Sequence, residues 1–540
     1  MKERVKLFFC YYLCWVLFFV VQKPIFMLAE LPNLSGMDWL GWLQVPLHGL
    51  PLDLSVAAYI TAFFGLLLCV SPFLKNRVVR GISDGYTAVM IAVALLIQLA
   101  DIGTYPSWGF RLDRTVFIYL TSPKNVLACA EWWVWLLGVV AFAAAFWLLW
   151  KCYRIVISKH IDTLQYADYK ATIVCFLLTA LLFLPIRGSL STSTMNTGRV
   201  YFSQDLRLNQ AAINPAFNLF ESLSGDTFDA AHYTYMSAEA AADSLQNLLP
   251  HGTQHTEYLL NSDRPNIFLI IWESGSANTM ERLDGAAGVT PNFNRYCDEG
   301  VLFTQAYASS FRTDRGVVAV LSGFPGQPTA SLMTVPSKAR HLPFLSRDLQ
   351  QAGYQLKFYY GGDEDFTNMR SYLVSAGFDE RVCDKSFPIE QRASKWGAHD
   401  HLLFGRMLDE LHDTPQPFLK VALTTSSHEP FEVPMQKRFD DIYLNSIAYT
   451  DSCLGVFVEN LRQSDLWQNS LVVVVADHGF RYPDTIGHYG AARYHIPILM
   501  FGGAVQQPQR VEKICSQIDL APRFWRNSVW KMATTILAKM

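Results

Sequence analysis

Asp477 and His478 stand side by side directly after the apolar run Leu471 to Ala476 (LVVVVA), at the point where that run breaks into Asp-His-Gly. A carboxylate next to an imidazole suits a hard or borderline divalent cation. A second carboxylate, Glu273, directly follows another apolar run, Asn266 to Trp272 (NIFLIIW). A further histidine, His428, closes the stretch Thr424-Thr425-Ser426-Ser427-His428 behind the run 418–424. Singly, each has an ordinary explanation: a polar turn, a helix N-terminal acid, a loop histidine. If all three runs are parallel strands, however, these groups share one edge, where two converging carboxylates repel each other unless a cation lies between them.

A candidate nucleophile lies in Ser309 to Gly316 (SSFRTDRG), just before the apolar run VVAVL. That placement sets the Thr313 hydroxyl at a helix N-terminus, where free backbone N–H groups and the helix dipole favour an anion such as phosphate. Arg312 and Arg315 bracket the hydroxyl and are candidate phosphate contacts, and Arg370 is a third. A threonine hydroxyl is a weak nucleophile until a metal or a base lowers its pKa, so a neighbouring divalent ion would both activate Thr313 and polarise a phosphoryl oxygen.

The elements that would hold these residues follow from periodicity. Asn266 to Trp272 reads as a buried strand, and Thr290-Pro291 opens a helix that stops at Gly300. The pattern continues with a helix over 344–352, strand 354–360, and helices over 366–376 and 399–412. Strand 418–424, a helix near 443–462, strand 471–476 and strand 495–501 complete it. Strands alternating with helices imply a mostly parallel α/β sheet covered on both faces, with ligands at the C-terminal strand ends.

The first 190 residues are of another kind. Five segments almost without charge, 7–28, 55–74, 85–104, 128–150 and 171–187, approach the ~20 residues that span a bilayer as a helix. Lys2, Arg4 and Lys6 precede the first, Lys75, Arg77 and Arg80 follow the second, and Lys151, Arg154, Lys159 and Lys170 separate the fourth from the fifth. The loop from Ala29 to Leu54 has no Lys or Arg, whereas the loop after the third span carries Arg111, Arg114 and Lys124. The positive-inside rule then places the N-terminus in the cytoplasm and everything after Arg187 outside it. The first span lacks a small-residue cleavage site and reads as a retained anchor. The expected organisation is therefore a five-helix transmembrane domain (1–190), a polar linker packing on the outer domain (191–262), an outer catalytic domain (263–522) and an atypical tail (523–540). A net charge of −3 argues against a nucleic-acid partner. The ten cysteines show no CxxC spacing, and Cys297, Cys383, Cys453 and Cys515 suit either disulfides or isolated buried thiols.

In this order the motifs WESGS, SFRTDRG followed by LSGFP, SSHEPF and VVADHG, after five apolar spans, resemble the lipoteichoic acid synthase family. These are membrane-anchored, phosphoglycerol transferase-like enzymes of the sulfatase and alkaline-phosphatase superfamily. The resemblance runs from the first span to about Pro522. It implies a single divalent metal, manganese or magnesium with zinc as a further candidate, held by Glu273, Thr313, Asp477 and His478. It also implies a covalent phospho-enzyme on Thr313, and a substrate contact and proton donor in His428. The donor would be a membrane phospholipid and the acceptor an envelope glycolipid or polymer, handled by an integral, multi-pass protein of the cell (inner) membrane with its catalytic domain extracytoplasmic. Tyr360 and Thr367 stand where that family has a His and a Trp-containing motif gripping glycerol phosphate, and Arg370 remains as a phosphate contact. The terminus RFWRNSVWKMATTILAKM departs from the family and reads as a frameshift or an altered end.

Three rivals stand beside a phosphoglycerol-like transferase. One is a phosphoethanolamine transferase on an envelope glycolipid. Another is a sulfatase-type hydrolase, weakened because no Cys or Ser stands in a C/S-x-P-x-R context and Thr313 is followed by Asp314-Arg315-Gly316. The last is a non-catalytic lipid-sensing regulator of the same fold, against which the complete set of four metal-site residues counts.

Overall fold

A computed structural model describes residues 1–30, 39–120, 132–166, 168–224, 234–248 and 259–521, so the tail 523–540 lies outside the described residues. The chain divides into two compact units, Met1–Gly225 and Asp226–Met540.

Among the described residues of the first unit five helices are long and apolar enough to cross a membrane: Lys2–Ala29, Trp39–Phe73, Asn76–Trp108, Trp132–Ile161 and Tyr169–Arg187. The second starts sixteen residues before the expected 55, because the chain stays helical through Pro46 and Pro51. In an apolar bundle, neighbouring helices and side chains compensate the backbone groups that a proline frees. Two ion pairs are buried inside this unit. Lys23 Nζ lies 2.5 Å from Asp53, and Arg111 Nη2 lies 2.8 Å from Asp101, all four side chains at most 2% exposed.

Those pairs explain where the expected linker goes. Leu206–Ala212 and Pro215–Ser224 belong to the first unit. Asn214 donates to Asp53 Oδ1 at 2.9 Å, and Arg111 Nη1 donates to the Gln210 carbonyl at 2.9 Å. The expectation that 191–262 packs as a whole on the outer domain therefore needs correction. The polar residues of its first part complete the hydrogen bonding of charges buried in the bundle, which would be costly to leave unpaired.

The second unit is built on an eight-stranded sheet. In chain order the strands are β1 (Asn266–Trp272), β2 (Val301–Phe303), β3 (Ala306–Tyr307), β4 (Gln355–Tyr360), β5 (Glu380–Val382), β6 (Phe418–Leu423), β7 (Ser470–Ala476), β8 (Ile498–Phe501), β9 (Gln509–Val511) and β10 (Cys515–Ser516). The spatial order is β5-β4-β6-β1-β7-β8-β2-β9, with β3 and β10 paired apart. On β1 and β7, alternate residues enter two separate cores: Ile267, Leu269, Leu471 and Val473 one, Phe268, Ile270, Val472 and Val474 the other. Burial on both faces is the reason these segments are apolar throughout and show no polar alternation.

The sheet is mostly parallel, but β8 runs antiparallel to both β7 and β2. Between β7 and β8 the one helix, Ala491–Tyr494, has four residues, too few to cover a sheet face as a crossover helix does. An antiparallel neighbour needs no such crossover helix. The expected strand 495–501 shrinks to 498–501, and β2, three residues long, is too short to show a period. Cys297, Cys383, Cys453 and Cys515 are buried, unpaired thiols.

Candidate metal centre and nucleophile

The register of the three central strands sets the site. Trp272 of β1 pairs with Ala476 of β7, and Ile271 pairs with Leu423 of β6. The next residues, Glu273, Asp477 and Thr424, therefore leave the sheet side by side at one edge. The strand ends are also tied together: Glu273 N donates to Thr424 Oγ1 at 2.9 Å, and Ser427 Oγ donates to the Glu273 carbonyl at 2.6 Å.

Glu273, Asp477 and His478 form the group suited to a cation, with ligand atoms within 4.8 Å of one another and all three residues buried. His478 Nε2 lies 3.6 Å from Glu273 Oε1 and 3.5 Å from Asp477 Oδ2. The other ring nitrogen, Nδ1, is 3.0 Å from the Gly479 carbonyl oxygen. A proton on Nδ1, assigned from this contact, leaves the Nε2 lone pair facing the carboxylates, as a metal-ligating histidine requires.

Asp477 carries the local charge problem. Its Oδ1 accepts from Ser274 N at 2.9 Å and His478 N at 2.8 Å, whereas Oδ2 is buried without a hydrogen-bond partner. Burial, and then the charge of Glu273, pushes the Asp477 carboxyl well above the ordinary carboxylate range. An orphaned carboxylate oxygen among one imidazole and a second carboxylate is the donor set that a divalent cation satisfies, so the residues fit the metal. Ser274 closes the turn with φ 53°, in the left-handed region. Its strain is held by three hydrogen bonds, N–H to Asp477, Oγ–H to Glu273 Oε1 at 2.7 Å, and Tyr443 Oη–H to the Ser274 carbonyl at 2.7 Å.

Thr313 is brought to this cluster by a helix, Thr313–Ser322, as its first residue. Its Oγ1 donates to Glu273 Oε2 at 3.1 Å. Gly316 makes the approach feasible: a Cβ there would lie 2.1 Å from the Asp477 carbonyl oxygen. A pocket opens over the site, lined by Glu273, Thr313, Tyr360, Phe366, Thr367, Met369, Trp396, Thr424, Thr425 and His428. The three expected arginines do not line this pocket. Arg312 is more than half exposed, 3.5 Å from Asp314. Arg315 is buried and donates to the Pro328 carbonyl at 3.0 Å. Arg370 is held by Glu364 at 3.0 Å and Asp365 at 2.6 Å, so its charge is already answered within the protein.

Trp396 is the site residue that sequence reading missed. Its ring lies 3.9 Å from that of His428, and its Nε1–H donates to the Glu429 carbonyl at 2.7 Å. It sits in the loop between Gln391 and Asp400, away from any strand end, and only its tryptophan-glycine pair marks it.

Residues 265–526 match the family model described as Sulfatase. The second unit carries a sulfatase domain. It thus belongs to a superfamily of enzymes, and the cluster at its strand ends is the candidate centre of a sulfatase-type site. The domain is 27% identical over 279 residues to phosphoglycerol transferase I of Xanthomonas campestris pv. campestris, covering 45% of this chain and 38% of that protein. It is 22% identical over 286 residues to the lipoteichoic acid synthase-like YvgJ of Bacillus subtilis, covering 48% of this chain and 46% of that one. The chain thus matches less than half the length of these curated relatives. Among solved structures, a protein in the alkaline phosphatase superfamily from Vibrio parahaemolyticus is similar with a TM-score of 0.48 at 27% identity, over 54% of this chain and 75% of that one.

Proposed function

We propose that the chain is a membrane-anchored, metal-dependent phosphotransferase. It takes a phospho-headgroup from a membrane phospholipid onto Thr313 and passes it to an acceptor outside the cytoplasm. The observation that carries this reading is the Thr313 hydroxyl at a helix N-terminus, 3.1 Å from Glu273, which itself clusters with His478 and the orphaned Asp477 carboxylate oxygen. The names of the relatives, phosphoglycerol transferase and lipoteichoic acid synthase-like, support the reaction class. A divalent ion held by Glu273, Thr313, Asp477 and His478, manganese or magnesium by its oxygen-rich set, would supply positive charge that lowers the hydroxyl pKa and draws charge from the phosphoryl group.

The remaining work falls to the chain. Thr313 Oγ attacks phosphorus, its proton leaving along the hydrogen bond to Glu273, while the phosphorus–oxygen bond to diacylglycerol breaks. The helix N-terminus offers backbone N–H groups to the phosphoryl oxygens. His428 Nε2, on the pocket wall with Nδ1 3.0 Å from the Glu429 carbonyl, protonates the departing diacylglycerol oxygen. In the second half-reaction it takes the proton of the acceptor hydroxyl as that oxygen attacks phosphorus, while the bond from phosphorus to Thr313 Oγ breaks and Glu273 returns the proton to the threonine oxygen. The test is incubation of the full chain and Mn2+ with labelled phosphatidylglycerol and phosphatidylethanolamine in turn. Diacylglycerol release from either, lost in Thr313→Ala, is the expected result; release from neither would contradict the reading.

A further inference from the structure

The pocket wall contributed by Tyr360, Phe366 and Trp396 is aromatic, and among the described residues lining the pocket there is no lysine or arginine. Phe366 meets Trp396 edge-on, with ring centroids 5.5 Å apart and planes at 76°. The wall is rigid: Trp396 is pinned to Glu429, Ala398 N donates to the Gly361 carbonyl at 2.9 Å, and Thr425 Oγ1 donates to the Ala398 carbonyl at 3.1 Å. Gly362 leaves room for Tyr360 to fold back, since a Cβ there would lie 2.5 Å from the Tyr360 ring.

The threonine hydroxyls of the same pocket are engaged with the protein. Thr424 Oγ1 accepts from Glu273 N, Thr425 donates to Ala398, and Thr367 donates to the Phe366 carbonyl at 2.8 Å. Burial raises the Tyr360 phenol, and beyond the metal-site carboxylates Glu273 and Asp477, whose charge a bound ion would answer, the charges of Asp363 and Asp384 raise it further. Asp363 and Asp384 are themselves buried, and Asp384 N donates at 3.0 Å to the carbonyl of Gly362, two residues from Tyr360. A neutral polyol needs several hydroxyl partners, and of the three aromatic wall residues Tyr360 alone carries a hydroxyl. A cationic amine needs π faces and negative potential, which are what this wall presents.

Resting on the transferase reading above, we propose that Tyr360, Phe366 and Trp396 select a phospho-headgroup bearing a cationic amine, of the phosphoethanolamine class, over one ending in a neutral polyol. The reaction balance is unchanged, because the amine is carried along with the phosphoryl group and forms no bond. Full-length protein in dodecyl maltoside micelles with Mn2+ is given phosphatidylethanolamine or phosphatidylglycerol at equal concentration, and diacylglycerol is timed. Desolvated cation–π contacts lead to an expected preference of about tenfold for the amine lipid. Trp396→Leu and, separately, Phe366→Leu should bring the ratio of the two rates toward one.

Equal or faster release from phosphatidylglycerol would overturn the selection while leaving the transferase reading standing. A variant that slows both lipids alike, with the ratio unchanged, would also overturn it. Release from neither lipid defeats the transferase reading, and calorimetry of the same Mn2+-loaded protein then decides the selection by itself. Tighter binding of O-phosphoethanolamine than of glycerol phosphate supports it, and equal or weaker binding overturns it.

Discussion

Asp477 Oδ2 and the two side chains around it explain why the site is legible as a metal centre at the level of single residues. A buried carboxylate oxygen without a hydrogen bond is costly, and the neighbouring Glu273 raises that cost. His428 is different in kind. It lines the pocket outside this cluster, and its ring is held against Trp396. His428→Ala is therefore expected to slow both release of diacylglycerol and transfer to the acceptor by about 10²–10⁴-fold, the usual range for a positioned acid-base group. Metal content, measured by mass spectrometry of the purified protein, should be unchanged; loss of metal would show that His428 is a ligand. Sequence reading could bring Glu273, Asp477 and His478 to one edge because Glu273 and Asp477 each follow directly on a buried strand and His478 is the next residue. It assigned Arg370 to substrate because it could not foresee that Glu364 and Asp365 would fold back on the guanidinium.

At the scale of elements, two contacts decide whether the site is assembled. The helix Thr313–Ser322 touches the end of β7 only because residue 316 has no side chain. Gly316→Ala is expected to force the two apart, destabilising the second unit by about 1–3 kcal/mol and weakening metal binding, both measurable by thermal unfolding with and without Mn2+. The helix Ile442–Gln463 holds the start of the helix Pro291–Cys297 through Asp451, which accepts from Phe293 N at 2.8 Å and Asn292 N at 3.0 Å. Burial raises the Asp451 pKa from 3.8 to about 6. Between these values the folded chain keeps a proton that the unfolded chain has lost, so the Asp451 contribution to stability falls as pH climbs from about 4 to about 6. Asp451→Asn should flatten that part of the stability-pH curve; an unaltered slope would assign it to other groups. The strands flanking the site were readable from their apolar runs, and most helices from caps and periodicity. The direction of β8 was not, because the 21 residues before it are enough for either direction and carry no helical pattern that would mark a crossover.

At the scale of the molecule, the first unit shows how composition can mislead. Residues 206–224 are polar enough to read as a connector, yet they are the polar complement of the charges buried in the helical bundle. The orientation rests on Lys and Arg distribution alone. A reporter active only in the cytoplasm, fused after Leu260, is expected to be silent, and activity there would refute an outer sulfatase domain. The central claim, that Thr313 carries the headgroup between two lipid-level reactions, is tested most directly on the intact chain. Full-length protein is incubated with donor lipid and no acceptor, quenched rapidly, digested and weighed by mass spectrometry. The account predicts a phospho-headgroup adduct on the peptide bearing Thr313, absent from Thr313→Ala. Complete headgroup transfer in the presence of acceptor, with no such adduct at any time point, would contradict it and require direct in-line transfer.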